Sequence, residues 1–302
     1  MRRIVVSLRS CPIRLLSPYG CEWTSAPNFD RFASQSVVFD ACWASQLEAK
    51  SSQHSYAETV NGFDSDVWKP ALDRFFASEP GVFVLEIDPF ALPWGPFQAG
   101  AIDLGKDEVR EPFFEQASET VAAFDAHFGE ILESIEKRDP ENTSLIALTA
   151  QNGLPTGEHG QLGLINPRLF AEYLNIPLVI RLPERRFAGH RIAGMLTDVD
   201  FSRILRSGNC DEWVKWFEDS QSVRTEVVST YGDPVREAAL RTADSCLIRS
   251  FAEGEDSLLL FDRPDDRFEI NNIAARQLDR AEMLNGKLAE LIAERSISTS
   301  KS

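Results

Sequence analysis

Four short apolar segments constrain the fold of this chain more than any other feature. Each is four to six residues long and almost wholly apolar, which is typical of a strand buried on both faces of a sheet. Helical patterns separate them, and the clearest repeats an apolar residue every three or four positions from Phe113 to Ile135. Strands that alternate with helices predict an α/β fold in which a mostly parallel sheet lies between helices. The four segments are Ile4–Leu8, Val82–Ile87, Leu145–Leu148 and Pro177–Leu182.

The C-terminal part of the chain has a different pattern. Two apolar segments, Cys246–Phe251 and Ser257–Asp262, flank a short polar stretch and predict a β-hairpin. An amphipathic helix is predicted from Gln277 to about Arg295. We therefore expect an α/β core in residues 1–220 and a small α+β lobe, with an antiparallel hairpin and a terminal helix, in residues 221–302.

The charge and the cysteines limit the function classes. The chain has 302 residues with 31 Lys and Arg against 47 Asp and Glu, so its net charge is −16. Such a surface repels nucleic acid and anionic membranes, and neither is expected as a partner. Five cysteines without a C-x-x-C pair predict reduced thiols rather than disulfides or structural zinc. No apolar run reaches the roughly 18 residues of a membrane span, and we expect a cytoplasmic protein.

Two polar segments follow predicted strands. Thr149–Gly160 reads TAQNGLPTGEHG, and Asp88–Pro112, rich in Pro and Gly, is predicted to be a long loop. In open α/β sheets, ligands bind at this end of the strands. The first segment is typical of a hydrolytic site, except that the neutral amide of Gln151 stands where such a loop would offer a carboxylate.

Four stretches of the sequence, in the same order, resemble the sulfatase family within the alkaline-phosphatase-like superfamily. Together they span nearly the whole chain. The resemblance implies the sulfatase fold and hydrolysis of a sulfate ester, in which a divalent metal, usually calcium, polarises the sulfate and a formylglycine attacks sulfur. The stretches are APNFDRFASQSVVFDACWAS (26–45), ASETVAAFDAHFGEILESIEKRDPENTSLIALTAQNGLPTGEHG (117–160), IPLVIRLP (176–183) and LRTADSCLIRSFAEGEDSLLLFDRPDDRFEINNIAA (240–275).

The chain departs from the family at the positions of its metal ligands and its nucleophile. The family's paired metal-binding aspartates fall at Arg9 and Ser10. Its nucleophile motif, Cys/Ser-x-Pro-x-Arg, falls near Glu48–Ser52, which contains no Cys, Pro or Arg. The metal-binding aspartate of the later loop is replaced by Gln151, and Asn152 alone keeps a ligand-type side chain. Since calcium requires several oxygen ligands with carboxylates among them, we expect no metal and no other cofactor.

Each remaining polar group has two interpretations. Arg9 either binds an anion or forms a salt bridge to Asp88 or to another carboxylate at the end of a strand. Gln151 and Asn152 either contact a ligand or bond their own loop. Glu48 and Lys50 form either an acid–base pair or a solvated pair. Glu158 and His159 match the family. They are either a base and an acid at the rim of the site or stabilisers of their own loop.

These residues lead to two hypotheses about activity, beside a third in which the chain is a purely structural partner subunit. In the first, the chain is a catalytically inactive sulfatase homologue with a binding or regulatory role, whose partner is a small anion or a protein. In the alternative, it is a sulfate- or phosphate-ester hydrolase with an atypical site. The sequence leaves homo-oligomerisation open under either hypothesis.

Overall fold

A computed structural model of the chain describes residues 1–47, 58–62, 64–208, 224–251 and 257–299. The helices are α1 (Pro27–Ser34), α2 (Ser65–Ala77), α3 (Asp107–Arg138), α4 (Ala171–Leu174), α5 (Asp198–Ser207) and α6 (Leu278–Thr299). The strands are β1 (Arg3–Cys11), β2 (Val37–Trp43), β3 (Gln46–Leu47), β4 (Glu58–Asn61), β5 (Val82–Ile87), β6 (Gly100–Ala101), β7 (Leu145–Gly153), β8 (Gln161–Leu162), β9 (Asn175–Arg181), β10 (Arg191–Thr197), β11 (Glu226–Tyr231), β12 (Glu237–Thr242), β13 (Ser245–Ser250) and β14 (Leu258–Asp262).

The central sheet has seven strands in the order β10-β2-β9-β7-β1-β5-β4. All its neighbouring pairs are parallel except those of β9, which runs antiparallel to both β2 and β7. The predicted α/β fold with a mostly parallel sheet is thereby confirmed. The four predicted apolar segments lie in β1, β5, β7 and β9, whose side chains form the centre of the core.

Two strands are longer than predicted, which corrects the interpretation of one loop. β1 continues to Cys11 and β7 to Gly153, because the two strands pair in parallel as far as their ends. Gln151 and Asn152 therefore belong to a strand, and the segment predicted as a loop from Thr149 begins only after Gly153. Their backbone groups take part in the sheet instead of a turn.

The position of β9 explains how a proline is tolerated inside the sheet. Pro177 has no backbone N–H and cannot donate to a neighbouring strand. It lies where the register between β2 and β9 shifts, and the pairing of β9 with β7 ends at Leu178. Prolines within sheets are confined to such irregular or edge positions.

Helices α1 and α3 pack together through aromatic side chains. The rings of Phe32 and Phe128 meet edge to face with centroids 5.3 Å apart, and both are buried. Asp125 of α3 accepts hydrogen bonds from the backbone N–H groups of Asn28 (3.2 Å) and Phe29 (2.8 Å), which satisfies donors in the first turn of α1.

The predicted loop Asp88–Pro112 is shorter than expected. Its last six residues already belong to α3, which begins at Asp107, and its middle contains β6. Asp107 and Glu108 lie in the first turn of α3, where negative charge favours a helix. The helix continues through Pro112, the sixth of its residues.

A second, five-stranded sheet forms most of the C-terminal part, in the order β14-β13-β12-β11-β3. The predicted hairpin is confirmed as the antiparallel pair β13–β14. One face of this sheet packs on α6 through Leu284 and Leu288, whereas Ile248 and Phe261 belong to the main core. The proposed division after residue 220 falls outside the described residues and stays a prediction. None of the described helices is long and apolar enough to cross a membrane.

Candidate functional site

The carboxyl ends of β1 and β7 bring together most of the positions at which the resemblance to sulfatases leads us to expect metal ligands. Ser10 and Asn152 are register partners on these neighbouring strands, and both are buried. The Asn152 Oδ1 atom has no hydrogen-bond partner in the described structure. Gln151, half-buried, is the next residue along β7. This edge therefore presents a hydroxyl and two amides, all of them neutral.

Arg9 and Asp88 are the charged groups at the same edge. Arg9 is exposed on β1, and Asp88, half-buried, directly follows β5. Burial raises the pKa of Asp88, and the positive charge of Arg9 offsets part of this rise. Within the described ranges Arg9 makes no ion pair at 4.0 Å or less, so its charge acts on Asp88 from a longer distance than the salt bridge of the second interpretation. Glu48 and Lys50 lie outside the described residues.

Glu158 and His159 each form hydrogen bonds with other residues of the chain. Glu158 accepts hydrogen bonds from the backbone N–H of Thr156 (2.8 Å) and from its hydroxyl (2.9 Å). The His159 Nδ1 atom lies 2.5 Å from Glu172 Oε1, and its Nε2 atom lies 3.0 Å from the carbonyl oxygen of Glu269. Both ring nitrogens of His159 are therefore engaged.

The pair His159–Glu172 predicts a pH dependence of stability. Burial lowers the pKa of His159, but its hydrogen bond and charge interaction with Glu172 outweigh this, so the pKa is raised. A raised pKa in the folded state gives stability that is present below the ordinary value near 6.5 and is lost as the pH rises through the folded value. We expect the stability lost in His159→Gln, measured by urea unfolding, to be larger at about pH 5.5 than at about pH 9. An equal loss at the two pH values would contradict the assignment.

A buried ion pair lies next to this histidine. The Arg241 guanidinium donates to Glu269 through Nε (3.1 Å) and Nη2 (3.0 Å), and both side chains are almost completely buried. Glu269 also accepts from the backbone N–H of Ala171 (2.8 Å). The pair thus connects β12, the start of α4 and the segment after β14. Glu172, Arg241 and Glu269 were not identified from the sequence, although the two charged residues of β12, Glu237 and Arg241, next to apolar residues were an available signal.

A cleft of about 970 Å³ opens beside this network. Its walls include residues 13–15 and 17–23 after β1, residues 156–158 after β7, and the segment after β14, together with residues of β2, β9, β10 and α3. Four arginines line it: Arg14, Arg191, Arg263 and Arg267. Arg9, Asp88 and Asn152 are not part of its wall, so the cleft and the edge of aligned metal positions are different places.

The described residues do not fit the divalent metal of the family. They contain no group of three or more His, Cys, Asp or Glu side chains that could hold a metal ion. At the aligned edge Asp88 supplies a carboxylate, while Ser10, Gln151 and Asn152 are neutral and Arg9 is positive. Calcium takes six to eight oxygen ligands, with carboxylates among them, and this edge offers too few.

The chain is similar to solved structures over nearly its whole length. The protein BT4656, in complex with its substrate D-glucosamine-2-N,6-O-disulfate, has a TM-score of 0.72 at 16% identity, covering 100% of this chain and 98% of its own. The protein yidJ from Bacteroides fragilis, assigned as a sulfatase, gives 0.71 at 14% identity, with 97% and 95% covered. The phosphonate monoester hydrolase of Agrobacterium radiobacter gives 0.67 at 15% identity, with 98% and 95% covered.

Sequence comparison finds less than structure comparison. No family model matches the chain, and no curated protein matches it. At 14–16% identity the structural similarity shows the fold, and the chemistry must be argued from the site. The chain has the fold that these sulfatases and the phosphonate monoester hydrolase share.

Proposed function

We propose that this protein is a catalytically inactive sulfatase homologue that binds a small anion or a protein partner. The observation that carries the proposal is the composition of the sheet edge. By the resemblance of the sequence, Arg9 and Ser10 fall at the paired metal-binding aspartates and Gln151 at a third. A neutral amide, a hydroxyl and a guanidinium in place of three carboxylates support a protein that keeps the fold without the family's reaction.

Electrostatics support this interpretation. A divalent cation at the edge would be repelled by Arg9 and attracted by Asp88, the carboxylate described there. Burial raises the pKa of Asp88 and thus favours its neutral form. Amide and hydroxyl oxygens alone do not replace the carboxylates on which calcium affinity depends. The same edge, with an arginine and neutral donors, suits an anion better than a cation.

The metal content and turnover of the purified protein test the proposal. We expect less than stoichiometric calcium and zinc by elemental analysis, and no hydrolysis of nitrophenyl sulfate or nitrophenyl phosphate above the buffer rate. The double variant Arg9→Asp, Gln151→Asp is the matched comparison, because it restores two carboxylates at the edge and should bind calcium more tightly than the natural chain. Stoichiometric metal in the natural protein, or turnover that persists through repurification, would show the proposal to be wrong.

A hydrolase with an atypical site is the second candidate, and two contacts favour it. His159 and Glu172 form a pair of the kind used for proton transfer, and Glu158 lies in the wall of the cleft, 3.6 Å from Arg14. Since both nitrogens of His159 are engaged, we rank this candidate lower. If turnover were found, its loss in His159→Gln and in Glu158→Gln would support an atypical site, and its survival in both variants would not.

A further inference from the structure

The cleft beside the buried network contains positive charge that is not fully neutralised. Arg14 and Arg263 both line it, and burial lowers the pKa of each guanidinium because the nearby carboxylates compensate only in part. Arg224, outside the cleft, shows the opposite: its hydrogen bond with Asp200 raises its pKa. Arginine keeps its proton in proteins, so both cleft arginines are charged. Arg14 lies 3.6 Å from Glu158, whereas Arg263 forms no ion pair among the described residues.

The carboxylates in the wall of the cleft are already engaged or solvated. Asp40 forms an ion pair with Arg191, and Glu158 accepts two hydrogen bonds from Thr156. Glu22 is exposed to solvent. Of these, Glu158 approaches Arg14, at 3.6 Å, without a hydrogen bond between them. The wall therefore has positive charge to offer to an incoming ligand.

Polar atoms in the same wall are also without hydrogen-bond partners. Arg14 Nη1, Arg263 Nη1 and Trp43 Nε1 are buried donors that donate to nothing in the described structure, and Asn175 Oδ1 is a buried acceptor that accepts from nothing. All four residues line the cleft. An unsatisfied buried polar group is costly. Small rotations that turn these side chains toward the cleft would therefore gain hydrogen bonds from a ligand that has several acceptor oxygens and at least one hydroxyl.

The mouth of the cleft carries an exposed aromatic pair. The rings of Trp23 and Phe114 have centroids 4.7 Å apart, and their exposed fractions are 45% and 39%. Large aromatic side chains are usually covered in a folded protein. Their exposure next to charged donors favours a ligand with an apolar ring face, since such a face can pack against them.

We propose that the cleft is an oxyanion-binding site, in which Arg14 and Arg263 hold a sulfate, phosphate or carboxylate group and Trp23 and Phe114 contact a hydroxylated ring that carries it. The inference rests on the proposed binding role and assigns it to a place separate from the aligned metal positions. Guanidinium groups bind such oxyanions through paired, charge-assisted hydrogen bonds. No metal is needed for this recognition.

Calorimetric titration with four probes of one ring type tests the site. The probes are glucose 6-sulfate, glucose 6-phosphate, glucuronate and glucose, which share a hydroxylated ring and differ in the oxyanion. We expect at least one of the three anions to bind at least about tenfold more tightly than neutral glucose. The strongest of the three identifies the oxyanion.

Variants then locate the binding. Arg263→Gln should weaken binding of the best anion by about tenfold or more, and Arg263→Lys should retain part of the affinity because it keeps the charge. The matched control is Arg203→Gln, on α5, whose side chain is 66% exposed and lies outside the cleft. Trp23→Ala should weaken the ring-bearing anion more than it weakens inorganic sulfate or phosphate. Circular dichroism of each variant verifies that it is folded.

Two results would overturn the site: no binding of any anion by the natural protein, or equal affinity in folded Arg263→Gln and in the natural protein. Analysis of each probe after titration separates this failure from that of the proposed function. Cleavage of a bound ester would contradict catalytic inactivity while leaving the arginine site intact. An intact ester that does not bind would reject the site alone.

Discussion

Replacing Arg241 with methionine is expected to lower the free energy of unfolding by about 3–5 kcal/mol. Methionine fills much of the same volume, but it leaves the carboxylate of Glu269 buried without its charged partner. The exposed fractions of the two side chains are 0% and 1%, so water cannot replace the lost interaction. Urea or guanidinium unfolding of the variant and the natural chain measures the difference.

Two further variants separate the buried pair from ion pairs in general. Lys69→Met removes one partner of the exposed pair Lys69–Glu130 and should cost no more than about 1 kcal/mol. Adding Glu269→Gln to Arg241→Met removes the unpaired charge, and the double variant should recover part of the lost stability. If Arg241→Met were no more destabilising than Lys69→Met, the pair would not have the structural importance inferred here.

Gly153→Ala is expected to destabilise the protein by about 3 kcal/mol, near the upper end of the usual range for overpacking. A Cβ atom at this position would lie 2.2 Å from the carbonyl oxygen of Glu172 and 2.9 Å from its carbonyl carbon. These are backbone atoms, which cannot rotate away, so β7 and α4 would have to separate. Since Glu172 holds His159, the histidine should also be displaced.

Gly286→Ala gives the matched control for the same chemical change. Gly286 lies in α6, and a Cβ atom there would meet nothing within 4 Å. Alanine in an open helical position stabilises by about 0.5–1 kcal/mol, so the two substitutions should have opposite signs. Thermal unfolding of both variants decides the point. A neutral Gly153→Ala would mean that β7 and α4 are not as closely packed as the structure has them.

The fold was largely predictable because the central strands are buried on both faces. β1, β5, β7 and β9 are nearly continuous apolar runs, which have few other interpretations. Strand direction has no such signature, and nothing in Pro177–Leu182 indicates that β9 runs antiparallel. β12 was not predicted as a strand, because Glu237 and Arg241 interrupt its apolar pattern. Their partners, Arg168 and Glu269, come from distant parts of the chain.

From the sequence, only those residues of the candidate site that lie at the ends of neighbouring strands could be predicted to meet. Ser10 and Asn152 meet because β1 and β7 pair in parallel, so their alignment with metal positions could be judged from the sequence. The cleft was not predictable, since Arg14 and Arg263 approach it from opposite ends of the chain. Arg263 belongs to a segment whose sequence indicates only a turn. Tertiary contacts of this kind have no local pattern.

The pairing of β3 with β11 joins a strand from the N-terminal part of the chain to the C-terminal sheet. Leu47 of β3 pairs with Tyr231 in the C-terminal sheet, and the next residue in the chain is Glu48, where the stretch aligned with the family's nucleophile begins. A ligand that shifted the segment after β14 would pull on the same sheet, because β14 is hydrogen-bonded through β13 and β12 to β11. One continuous hydrogen-bonded sheet therefore joins a wall of the cleft to Leu47, the residue that precedes the stretch aligned with the family's nucleophile.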